Sequence, residues 1–201
     1  MPAVSETIVR EYFELHGFLV RQHRKFVAPI RRAADDDDID FFVLNPHPQN
    51  RAEPMPFVLG SADLAFLERA IVVVKGWHTE RFSSAVLTHA PEIFRFVEPK
   101  VFQQAARAFG AEGTPMKILV VPALPQGTSA RDESIALLQA KGIDAVIPFR
   151  TMLADLVSET EANRNYQKSD LLQIIRILKI YDFFKEPQLE LFKSRSKKRS
   201  K

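Results

Sequence analysis

The chain contains no cysteine, seven glycines and a single tryptophan in 201 residues. Without cysteine there is no disulfide framework, no thiolate nucleophile and no Cys-based zinc site. A cytoplasmic location is the simplest expectation for such a chain. The glycines never cluster, so neither a dinucleotide-binding GxGxxG turn nor a P-loop is present. No HExxH occurs, and His16, His23, His47, His78 and His89 lack the spacing of a metal-ligand set. No run reaches the roughly eighteen apolar residues of a membrane span, so no membrane partner is expected. Residues 1–17, MPAVSETIVREYFELHG, carry Glu6, Glu11 and Glu14 and lack a basic segment followed by an apolar one, so a secretory leader is not expected either.

What is present is a globular composition, 46% hydrophobic, enough for one domain with a sizeable core. Charge is unevenly placed. The last nine residues, KSRSKKRSK, hold six cations and no acid, so removing them from a net +3 leaves −3 for residues 1–192. The expected organisation is therefore one α/β domain over 1–192 and a basic tail over 193–201. The tail reads either as a solubilising end or as a segment attracted to phosphates.

Periodicity predicts a helix over 5–16, with Ser5 as N-cap and Gly17 as its stop. Strands follow at 18–26 and 39–46, the second ended by Asn45-Pro46. A proline-rich excursion covers 46–62, a short helix 63–70, and a strand 71–77 apolar enough to lie centrally. A helix over 91–109, broken at Pro99, leads to a strand at 116–125. Residues 129–141 read as a helix ended by Gly142, 143–149 as a strand, and 151–157 as the start of another helix. The last helix is expected over 169–184, with Ser169 as cap and Leu171, Leu172, Ile174, Ile175, Leu178 and Tyr181 forming a buried stripe. This order predicts an α/β fold: a central mixed sheet of about five strands with helices on both faces.

Two polar signals stand at strand ends. Asp35–Asp37 read as a solvated loop, but Asp38 and Asp40 border a strand and share one face through the two-residue period. A carboxylate at such a mouth either caps a turn or holds a cation, and Mg²⁺ takes one or two carboxylates while keeping several waters. Lys75 ends the strand RAIVVVK on the face of Val73. A strand lysine either snorkels to water or stabilises charge developing on a phosphate. Arg21, Arg24, Lys25, Arg31 and Arg32 lie close by in sequence and suit either a solvated surface or a nucleic-acid backbone. Trp77 suits packing under the sheet edge or stacking on a base. His78 could supply a nitrogen ligand or a proton acceptor.

Gly17-Phe18-Leu19-Val20, then Asp38-Ile39-Asp40, then Lys75-Gly76-Trp77, in that order and on those strands, resemble the restriction-endonuclease-like PD-(D/E)xK nuclease superfamily. Its core runs helix, three antiparallel strands, helix, strand. The resemblance covers about residues 5–125. It implies a divalent-metal-dependent nuclease that hydrolyses phosphodiester bonds of DNA with Mg²⁺ or Mn²⁺. Asp40 would be the metal-binding aspartate, Lys75 the motif lysine, and Glu11 the helix-one glutamate completing the site, with Glu14 and Glu6 as alternatives. Family members often act as homodimers. The chain departs from the pattern at Val73, where the family places its second acid; Glu68 is the nearest replacement in sequence. Val73 opens the alternative of a catalytically inactive nuclease-fold module that binds nucleic acid or a protein partner.

Overall fold

The computed structural model describes residues 2–22, 39–110 and 113–184. Its elements run α1 (Pro2–Leu15), β1 (Leu19–Gln22), β2 (Phe41–Leu44), β3 (Arg69–Val74), α2 (Ser84–His89), α3 (Pro99–Ala106), β4 (Met116–Val121), α4 (Thr128–Ala140), β5 (Ala145–Pro148), α5 (Phe149–Glu159) and α6 (Asp170–Ile180). The chain divides into two compact units, 1–159 and 160–201. In the first, five strands form one mixed sheet in the order β1-β2-β3-β4-β5. β1, β2 and β3 pair antiparallel, and β3, β4 and β5 pair parallel.

The parallel half follows from its connections. Segments long enough to hold helices separate β3 from β4 and β4 from β5, as a parallel crossover requires. Its strands are nearly all apolar, so both faces must be covered. Alternation sorts the side chains. Phe42, Ile71, Val73, Leu119, Val121 and Val146 join a core with Leu87 of α2, Val101 and Ala105 of α3, and Leu138 of α4. Phe41, Val72, Ile118, Val120 and Ile147 therefore turn to the other face. There α1 packs on β1, β3 and α5, and α5 on β5, with Val9, Tyr12, Phe13, Met152 and Leu156 buried. The expected α/β class, with helices on both faces of a five-strand sheet, is what forms.

The proline-rich excursion has a structural task. After β2 the chain crosses to the far edge of the sheet, where Val58 bridges Val146; Leu59 donates to Val146 O at 2.9 Å and Val146 donates to Phe57 O at 2.7 Å. An edge that would otherwise expose unpaired amides is thereby covered.

Several expected boundaries move. Ser5 does not cap α1; the helix begins at Pro2, and Ser5 is 2% exposed inside it. Residues 61–66 and 91–97 form 3-10 turns rather than α-helix. A short helix, α2, stands where none was expected, with Ser83 Oγ accepting the Val86 amide at 3.3 Å. α6 does begin after Ser169, whose Oγ accepts the Leu172 amide at 3.2 Å. It ends at Ile180, and Asp182 then adopts φ 60. Its expected buried stripe is only half right: Leu172 and Ile175 are buried, whereas Ile174 is 55% and Tyr181 72% exposed.

Candidate functional site

β3, β4 and β5 are parallel, so their carboxyl ends line one edge of the sheet, the edge where open α/β sheets bind ligands. β2 runs the other way, which brings its start to that same edge. Asp40 therefore comes from one side and Lys75 from the other.

Asp40 lies one residue before β2. Its amide donates to Val72 O at 3.1 Å, and its Oδ2 accepts the Val74 amide at 2.6 Å. The carboxylate thus completes the hydrogen bonding at the end of β3, one residue short of Lys75. The lysine amide donates in turn to Val120 O at 3.0 Å, holding its backbone against β4. The Lys75 side chain is half-buried and makes no ion pair or hydrogen bond among the described residues. Val73 is 1% exposed and packs in the core beside Ile71 and Leu119. The position where the PD-(D/E)xK pattern has an acid is hydrocarbon packed on hydrocarbon.

The segment after Lys75 is clamped to the start of α1. A Cβ added at Gly76 would lie 2.4 Å from Ser5 Oγ. Glycine here gives the backbone room to pass the helix. Ser5 Oγ then meets His78 Nε2 at 3.1 Å, and the imidazole stands edge-on to Phe149, ring centroids 4.6 Å apart, at the start of α5. Trp77 is 37% exposed, and its ring lies 5.6 Å from that of buried Phe82, so packing occupies part of its surface and leaves the rest open.

α1 meets the Lys75–His78 segment at Ser5. Glu11, six residues later, lies about 9 Å farther along the axis and about a third of a turn round. It is 6% exposed, with Oε1 3.7 Å from Arg10 Nη2. Arg10 Nε is buried without a hydrogen-bond partner among the described residues. Desolvation pushes the Glu14 carboxyl above the usual carboxylate range, against Arg10 and helped by Glu11. Glu6 accepts from Gln22 Nε2 at 2.6 Å, and Glu68 pairs with Arg69. Arg21 projects over the Phe42 ring at 5.9 Å. Arg24, Lys25, Arg31 and Arg32 lie outside the described residues, as do His23, Asp35–Asp38 and the basic tail.

The described residues hold no group of three or more His, Asp or Glu that could bind a metal. A hard divalent ion does not need three. Mg²⁺ binds through one or two carboxylates plus substrate phosphates and keeps its remaining waters. Asp40 supplies one such carboxylate at this edge; Glu11, turned to Arg10 on α1, is not brought to it as the sequence led us to expect.

Sequence reading missed two polar pairs that fix α1. His16 Nε2 lies 2.5 Å from Asp155 Oδ2 of α5, and the Tyr12 hydroxyl lies 3.2 Å from Ser61 Oγ. Burial raises the Tyr12 phenol to about 12, the Ser61 hydrogen bond working in the opposite direction. Neither pair left a local signal, because the partners are 139 and 49 residues apart. Among the described residues no helix is long and apolar enough to cross a membrane. Compared with known proteins, the chain matches no family model, no curated protein and no solved structure.

Proposed function

We propose that the protein is a divalent-metal-dependent nuclease of restriction-endonuclease-like architecture, acting on the phosphodiester bonds of DNA. The observation that carries this reading is the convergence of Asp40 and Lys75, from adjoining antiparallel strands, on one edge of the sheet, with the Asp40 carboxylate 2.6 Å from the amide that precedes Lys75. The element order supports it as well: a helix, three sequential antiparallel strands, helices, and a fourth strand parallel to the third. Asp40 is the carboxylate donor for Mg²⁺ or Mn²⁺, with the remaining positions left to substrate phosphate oxygens and water. When bound, such an ion neutralises phosphate charge and acidifies a coordinated water. Lys75 contributes a half-buried ammonium whose charge stabilises the oxygens that become more negative as the phosphate is attacked.

The test is nicking or cleavage of supercoiled DNA with Mg²⁺ or Mn²⁺. Lys75→Ala and Asp40→Asn are each expected to lower the rate by about a hundredfold or more. Asparagine is chosen because its side-chain oxygen can still accept the Val74 amide while the negative charge is gone. Equal cutting by wild type and both variants would refute the assignment. A second reading, a nuclease-fold module that binds nucleic acid or a protein without cutting, is favoured by Val73, 1% exposed where the acid is absent. DNA binding without cleavage in either metal would select it.

A further inference from the structure

Trp77, the chain's single tryptophan, stands 37% exposed just past the end of β3. Its ring leans on Phe82 with the planes 39° from parallel. Phe82 is fully buried in the core that Val73 joins, so Trp77 lies on the sheet face of Val73. Strand alternation puts Lys75 on that face too. Asp40 belongs to it as well: it lies opposite Val73, bonded through its amide to Val72 O and through its carboxylate to the Val74 amide. We propose that Trp77 is a stacking platform for an unpaired base of a DNA strand whose phosphate sits at Asp40 and Lys75, so that the substrate is single-stranded DNA or the unpaired part of a duplex.

The inference rests on the nuclease reading for the phosphate and adds the class of DNA. The turn that carries the ring is pinned at both ends: the Lys75 amide donates to Val120 O at 3.0 Å and the Phe82 amide to Ala123 O at 2.9 Å. Within it the Glu80 amide donates to Trp77 O at 2.8 Å. The flat ring is thus held beside the core with part of its surface in water, and its indole N–H makes no hydrogen bond among the described residues. Two residues span at most about 7 Å, so a strand held by its phosphate at Lys75 brings that nucleotide or its neighbour over the ring. In a duplex each base face is covered by the next base pair, and only a base that has left the stack can lie on an aromatic side chain. Arg81, exposed and without an ion pair among the described residues, is placed to meet a flanking phosphate. Glu80 beside it offsets that charge, so at this turn stacking contributes more than charge attraction.

Because no other tryptophan is present, the intrinsic emission of the full chain reports this ring alone. With divalent metal chelated so that nothing is cut, an oligothymidylate of about twelve nucleotides should quench the emission, and a duplex of the same length should not. Trp77→Leu keeps Phe82 covered but removes the flat ring; it should weaken binding of the labelled single strand about tenfold or more, while Trp77→Phe should stay close to wild type. Circular dichroism confirms that both variants fold. Unchanged emission with the single strand, equal quenching by the duplex, or wild-type affinity in Trp77→Leu would each overturn the proposal. The two readings fail separately. Metal-dependent cutting without quenching leaves a nuclease and removes the platform, whereas quenching in a protein that cuts nothing in Mg²⁺ or Mn²⁺ upholds the platform and removes the nuclease.

Discussion

At Gly76 one missing carbon decides how close a helix can come to the end of a strand. No unusual backbone angle is involved; the constraint is space, since a β-carbon there would lie 2.4 Å from Ser5 Oγ and 3.1 Å from Ser5 Cβ. Gly76→Ala is expected to destabilise the protein by about 1–3 kcal/mol, the usual cost of overpacking. Ser5→Ala removes the nearer atom and forfeits the hydrogen bond to His78, a loss of about 1 kcal/mol. The two effects are coupled. Gly76→Ala should cost less in the Ser5→Ala background than alone, and chemical denaturation of the four proteins in a double-mutant cycle reads the difference. Additive losses would show that Gly76 and Ser5 do not constrain one another. Part of this was legible in sequence: an apolar strand running into Lys-Gly announced a special ending. The partner was not. Ser5 sits 73 residues from His78, and its position near a helix start imitates an N-cap, a role that belongs to local sequence, whereas the contact it actually makes belongs to the tertiary fold.

At the scale of elements, α1 is the piece that ties the site to the rest of the domain, and Tyr12 is one of its anchors. Its side chain is fully buried, and its phenol ionises near 12 rather than near 10 because burial penalises the phenolate. The folded state therefore holds this proton more tightly than the unfolded chain. Stability from Tyr12 is complete below pH 10 and drains away as pH rises from about 10 to about 12, a loss on the order of 2 kcal/mol. Tyr12→Phe, which has no proton to lose, should show a smaller drop in melting temperature across that interval than wild type. An unchanged alkaline profile would mean that the phenol is not buried as described. The elements themselves were legible where a strong period met a clear stop. β4, α4 and β5 came out close to expectation because the apolar runs are bounded by Pro122, Gly142 and Pro148. Residues 91–109 did not. Pro91 and Pro99 both begin helical turns, and the first segment tightens to 3-10 instead of continuing as α-helix. In α6 the apolar pattern was read correctly as amphipathic but its width was misjudged, since periodicity marks which side chains are apolar and not which of them the fold covers.

At the scale of the molecule, the sheet order explains why residues 35 positions apart in sequence share an edge. Antiparallel β2 and β3 bring the start of one strand to the end of the next, and the parallel strands beyond turn that edge into the mouth of the sheet. Under the proposed function the chemistry lies there, where the fold brings Asp40 and Lys75 to one edge. A metal titration addresses this more directly than turnover does, because it does not depend on choosing the right substrate. Mn²⁺ added to isotopically labelled protein broadens the amide resonances closest to the bound ion. Preferential broadening at Asp40 and across Val74–Gly76, abolished by Asp40→Asn in an otherwise unchanged spectrum, is the predicted result. Broadening that spares this edge, or that persists at full strength in Asp40→Asn, would contradict it.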